Sequence, residues 1–160
     1  MTVDEIRCAL AVESGDTDMD EEALPDEDLL VSVCAGLVTI DRDSNVIRFV
    51  HYTTQEYFER NRVDRFRTAL TEIVRTCLIY LSFNKFADGY CKTDKETEIR
   101  LREYPLLQYA SQYWGDHARG ELEQGRCIQD LIMGFLEQKP KISASIQAAH
   151  IPKYRYEGYS

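Results

Sequence analysis

Between Leu37 and Phe58 the apolar pattern of this chain changes period, from two to steps of three and four. Leu37–Asp41 and Asn45–His51 are rich in Val, Ile and Phe and flank the polar Arg42-Asp43-Ser44, which predicts a β-hairpin. From Thr53 onward the pattern is helical. Thr53 and Glu56 stand at the T-x-x-E spacing of a capping box, in which each side chain takes an orphan amide at a helix start. A strand is thus expected to run straight into a capped helix, with His51 at the joint.

That joint has chemical potential. A helix start presents N–H groups without intrahelical partners and a partial positive charge, which suits an anion, phosphate above all. The His51 imidazole beside it offers a further hydrogen bond. The opposing reading is a satisfied core histidine, because His51 is in step with Ile47 and Phe49 at period two.

Composition narrows the classes. A length of 160 residues suits one domain or two small ones, and 44% hydrophobic content with ten tyrosines describes a globular chain. No apolar run approaches the roughly 20 residues of a membrane span, and MTVDEIRC lacks the basic-then-apolar layout of a signal peptide. The expected location is the cytoplasm. The five cysteines are scattered, odd in number and without a C-x-x-C pair, so reduced core cysteines are expected, with Cys91 in a polar loop the most reactive. A net charge of −9 argues against nucleic acid, whose affinity comes from neutralised phosphates.

Outside the hairpin, nearly every apolar series steps by three or four, which predicts a mainly α fold with one small sheet and at most one short added strand. Val3–Val12 reads as a first helix. Glu13–Asp28 then carries nine carboxylates and no base, a solvated loop. Asp16, Asp18, Asp20 and Glu27 fall at calcium-loop positions, but Glu21 replaces the turn glycine and Pro25 interrupts, so no metal is expected. Asp26–Cys34 is a second helix with Leu29, Leu30 and Val33 inward, closed by Ala35-Gly36. Beyond it, Val63–Phe83, Lys95–Tyr104, a helix opened by Pro105, and Glu121–Gln138 form antiparallel helices. Pro140 stops the last of these and Ile142–Ala149 makes one short turn, before a tyrosine-bearing tail.

Leu37–Phe58 with Cys34-Ala35-Gly36, the amino-terminal Thr2–Glu13, Cys77–Phe83, Tyr104–Ala110 and Tyr113–Ala118 together resemble the winged-helix domain that follows the NACHT ATPase in fungal NACHT–ankyrin signalling NTPases, the GPI inositol-deacylase-type winged helix. The resemblance implies a winged helix at 1–61 (three helices plus the hairpin wing), a helical stack at 62–151 and a tail at 152–160. It further implies that the winged helix packs on a nucleotide domain. In that family a histidine in an H-x-x-x-Q-E-[YF] context touches the ADP phosphate at rest, and His51-Tyr52-Thr53-Thr54-Gln55-Glu56-Tyr57 matches it. His51, Thr53 and Thr54 are then the expected phosphate contacts, made to a nucleotide held by the neighbouring domain. Ankyrin repeats follow this segment in the family and are not seen in this sequence, which leaves open an excised fragment or a truncated relative.

No G-x-x-x-x-G-K-[ST] phosphate loop and no G-x-S-x-G elbow is present, so neither ATP hydrolysis nor esterase chemistry is expected, and no cofactor. Trp114 with Tyr109 and Tyr113 is a candidate partner surface, but at helical spacing the core reading is favoured. Two functions remain: a non-catalytic regulatory module of a NACHT-type NTPase, or a stand-alone protein-binding adaptor without a nucleotide role. A DNA-binding winged helix is a distant third, since the second helix is acidic.

Overall fold

A computed structural model describes residues 1–65, 67–119 and 126–152. The described chain is mainly helical, with one antiparallel pair of strands. Helices α1 (Val3–Ala11) and α2 (Glu27–Val33) precede strands β1 (Val38–Asp41) and β2 (Val46–Phe49), and α3 (Tyr52–Arg65) follows. Then come α4 (Arg67–Leu81), α5 (Asp94–Glu103), α6 (Leu106–Ala118), α7 (Arg126–Leu136) and α8 (Lys139–His150). The expected winged helix and helical stack are both present.

Local chemistry accounts for most boundaries. Thr2 caps α1 with a full capping box: its hydroxyl accepts from the Glu5 amide at 3.2 Å, and the Glu5 carboxylate accepts from the Thr2 amide at 2.7 Å. Thr93 and Glu96 do the same for α5. Helix α2 ends where Ala35 (φ 48°) and Gly36 (φ 78°) turn into the left-handed region, a stop that glycine favours. In the hairpin Val38 faces Phe49 and Asp41 faces Val46, around a turn in which Asn45 adopts φ 50°. No third strand forms among the described residues; the amino terminus makes only an isolated bridge, Thr2 with Val46, and the Val3 amide donates to the Asn45 carbonyl at 2.9 Å.

Four expectations need correction. Strand β2 ends at Phe49, not His51, so α3 starts at Tyr52. On α2 only Leu30 is buried; Leu29 and Val33 are 52% and 69% exposed. Residues 63–65 belong to α3, and the next helix begins at Arg67. The short turn expected at Ile142–Ala149 is a twelve-residue helix with Pro140 in its first turn, where a missing N–H costs nothing. The expected start of the helix at Glu121 and the tail beyond Pro152 lie outside the described residues.

The expected boundary at 61/62 falls within α3, which continues to Arg65. One hydrophobic cluster also joins the two expected halves: Cys8 of α1 belongs with Val74, Cys77, Leu78 and Leu81 of α4, Leu106, Leu107 and Ala110 of α6, Phe135 of α7, and Ala144 and Ala148 of α8. Helix α6 is its axis, with α1, α4 and α8 packed around it. Tyr80 seals one end, with ring centroids 4.9 Å from Phe83 and 6.1 Å from Phe86, and Tyr104 meets Phe86 edge-on at 5.1 Å. Glutamines then lash α8 in place. The Gln147 amide both accepts from the Cys91 N–H (2.7 Å) and donates to the Cys91 carbonyl (2.9 Å), while Gln108 and Gln112 donate to the carbonyls of Ile151 and Ala149.

Candidate functional site

The site begins where β2 gives way to α3. His51 follows Val50, whose amide is still bonded to the Leu37 carbonyl at 3.0 Å, and precedes the first helical residue. Its own carbonyl accepts from the Thr54 amide at 3.0 Å, so His51 occupies the position ahead of the first turn. Its side chain is exposed, which removes the core-histidine reading. The amides of Tyr52 and Thr53 belong to the opening turn, where the helix offers them no acceptor. Thr53 is exposed and Thr54 half-buried, so the three expected phosphate contacts lie in one short run at the head of a fourteen-residue helix.

The expected Thr53–Glu56 capping box is not formed. Because the strand ends early, His51 takes the position that Thr53 would need, and Thr53 lies inside the helix. Glu56 turns elsewhere: its carboxylate accepts from the Tyr52 hydroxyl at 2.5 Å and pairs with Arg60 at 3.7 Å. That carboxylate, then desolvation and the Glu59 charge, hold the Tyr52 phenol above its ordinary range. The T-x-x-E spacing is real at Thr2 and Thr93 and empty at Thr53, since a capping box also requires extended backbone at its threonine.

Helix α3 is fastened to the wing by one aromatic contact, and a second lies within the helix. Phe58 stacks on Phe49 at 5.5 Å and meets Tyr57 edge-on at 5.7 Å. Between wing, α3 and α4 lies an open groove of about 940 Å³, lined by Val38, Ile47 and Phe49, by Tyr52, Gln55, Phe58 and Glu59, and by Leu70 and Ile73. At the wing tip Arg48 pairs with Asp41 at 3.2 Å; the Ser44 hydroxyl and the Asp43 amide hold the Asp41 carboxyl below its ordinary range.

The second set of expected residues divides. Tyr113 is exposed at the surface of α6. Tyr109 and Trp114 pack against the core, and Trp114 meets Phe135 edge-on at 5.9 Å. The Tyr109 hydroxyl lies 3.0 Å from His117 Nε2, and burial pushes the phenol up to about 12. The three therefore do not form one exposed patch. The acidic loop folds on itself: Asp16, Asp18 and Asp20 accept from the amides of Glu13, Met19 and Glu22. Among the described residues no three His, Cys, Asp or Glu side chains gather as a metal site. Nor is any helix of the described residues long and apolar enough to cross a membrane.

Sequence reasoning missed the exposed Leu29 and Val33. Their helical spacing looked inward, and only the placement of neighbouring elements could reveal otherwise.

This geometry is that of a winged helix continued by a helical stack. Residues 1–72 match the family described as "GPI inositol-deacylase, winged helix domain". The chain is also similar to the "Azaphilone pigments biosynthesis cluster protein L" of Monascus ruber, at 26% identity over 154 residues, covering 86% of this chain and 32% of that one. It thus spans about a third of that relative's length. No solved structure matches.

Proposed function

We propose that the chain is a non-catalytic regulatory and protein-interaction module whose winged helix holds a NACHT-type nucleotide-binding domain in its resting state. The observation that carries this reading is His51. It is an exposed imidazole at the head of α3, beside Thr53 and Thr54. An anion presented by that domain would meet a helix start and an imidazole together, a pairing that suits the phosphates of bound ADP. The match of residues 1–72 to a winged-helix family supports the same reading, as does the span of about a third of a longer relative, since such a module works as part of a larger chain. NACHT and ankyrin partners, a signalling role and a cytoplasmic setting belong to this proposal.

The test is His51→Ala in a chain that carries both this module and a NACHT domain. A charge-assisted hydrogen bond to phosphate is worth roughly 1.5–3 kcal/mol, so ADP release should speed up by about one to two powers of ten. The isolated module should bind free ADP very weakly in either form. If ADP release in the longer chain is unchanged, the reading fails.

A further inference from the structure

The face of α2 that the sequence pattern would have buried stands in solvent. Leu29 and Val33, one helical turn apart, are 52% and 69% exposed. The turn Cys34-Ala35-Gly36 carries the chain to Leu37, 43% exposed, and the Val50 amide is bonded to the Leu37 carbonyl, with Val50 47% exposed. Four aliphatic side chains thus run from α2 onto the base of the wing. Contiguous exposed apolar surface rimmed by polar residues marks an interaction site, whereas single exposed aliphatics do not.

Charge selects the occupant. Asp26 and Asp28 are exposed at the head of α2, and Glu27 beside them is tied to Arg42 at 3.5 Å. Asp26, Glu27 and Asp28 line one shallow cleft with Leu29 and Ser32, so the carboxylates adjoin the aliphatic edge itself. A second copy of this chain would bring carboxylates against carboxylates, anionic lipid would be repelled, and a nucleic-acid backbone likewise. A protein segment with an aliphatic stripe flanked by Lys and Arg would satisfy both halves of the surface. We infer that the α2 edge formed by Leu29, Val33, Leu37 and Val50 is a docking surface for a basic amphipathic helix of a partner protein. It does not depend on the reading of His51.

The test uses the full 160-residue chain and, as probe, a fluorescein-labelled amphipathic Leu/Lys helix, followed by fluorescence anisotropy and by amide chemical shifts. The expected result is saturable binding that weakens with salt and shifts amides of residues 26–37 and 50. Leu29→Ser with Val33→Ser should weaken the probe by at least about tenfold, as loss of a central apolar contact does. Asp26→Asn with Asp28→Asn should weaken it in low salt only. Ile146→Ser, removing an equally exposed aliphatic on α8, should change nothing. Because all these side chains are exposed, thermal melting should be unaltered, separating lost docking from lost folding. Equal binding by the α2 variants, shifts centred elsewhere, a dimer dissolved by Val33→Ser, or flotation with anionic vesicles would each overturn the inference.

Discussion

Thr2 and Thr53 carry the same T-x-x-E signature and do different things. Thr2 accepts from the Glu5 amide, and Glu5, itself buried, returns a bond to the Thr2 amide. Thr53 lies one residue inside a helix whose Glu56 is engaged with Tyr52 and Arg60. Thr2→Ala should therefore cost about 1 kcal/mol, the usual loss of an N-cap side chain. Thr53→Ala should stay within about 0.5 kcal/mol, as for an exposed substitution away from special contacts. Urea unfolding of the two variants measures both, and equal losses would mean that Thr53 caps α3 after all. From the sequence the box is expected at Thr53 alone, whereas the structure forms it at Thr2 and Thr93. At Thr53 the deciding factor is that β2 stops pairing at Phe49, which leaves the threonine inside α3.

At the scale of elements, helices were legible from their periodicity and their ends less so. The stripe Leu70, Ile73, Cys77, Leu78 and Leu81 identified α4, and Cys77, Leu78 and Leu81 are indeed almost wholly buried. The sequence of α8 predicts only a short turn, because its few aliphatic residues sit among Ser, Gln and Lys. It is stable as a helix through its glutamine bonds and through Ala144 and Ala148, which are small enough to let it lie close to the core. Gln147→Ala should leave the Cys91 N–H and carbonyl without their protein partner, a cost of about 1–3 kcal/mol if water does not replace it. Hydrogen exchange at the Cys91 amide reads this directly: faster exchange is expected there, and little change in α4 or α6. If the Cys91 amide is equally slow in the variant, α8 is not what holds that loop.

At the scale of the molecule, the described residues share a hydrophobic cluster that draws α1 and the stack together. The buried acids of that cluster give it a pH signature. Burial pushes the Cys77 thiol from its ordinary 9.0 up to about 12, and the Tyr109 phenol from 10.0 to about 12. Both keep their protons in the fold after the unfolded chain has lost them, so the unfolded state binds fewer protons and stability falls as pH rises. The contribution is fully present below about pH 9 and is lost progressively toward pH 12. Denaturant midpoints measured from pH 7 to 11 should decline above pH 9, and Cys77→Val should flatten the early part of that decline. A profile level to pH 11 would show that Cys77 and Tyr109 are not desolvated as described.

By itself the sequence determined the class of fold, the hairpin and its run into a helix, the acidic character of α2 and the position of His51. These depend on interactions within about four residues, namely side-chain period, turn chemistry and caps, which any local stretch carries with it. Only the tertiary structure decided that His51 faces solvent, that Leu29 and Val33 are left uncovered, that Tyr113 stays at the surface while Tyr109 and Trp114 pack on the core, and that the amino terminus bridges Val46. Whether an apolar side chain is buried depends on which distant element covers it, and helical spacing shows only that the side chains share a face.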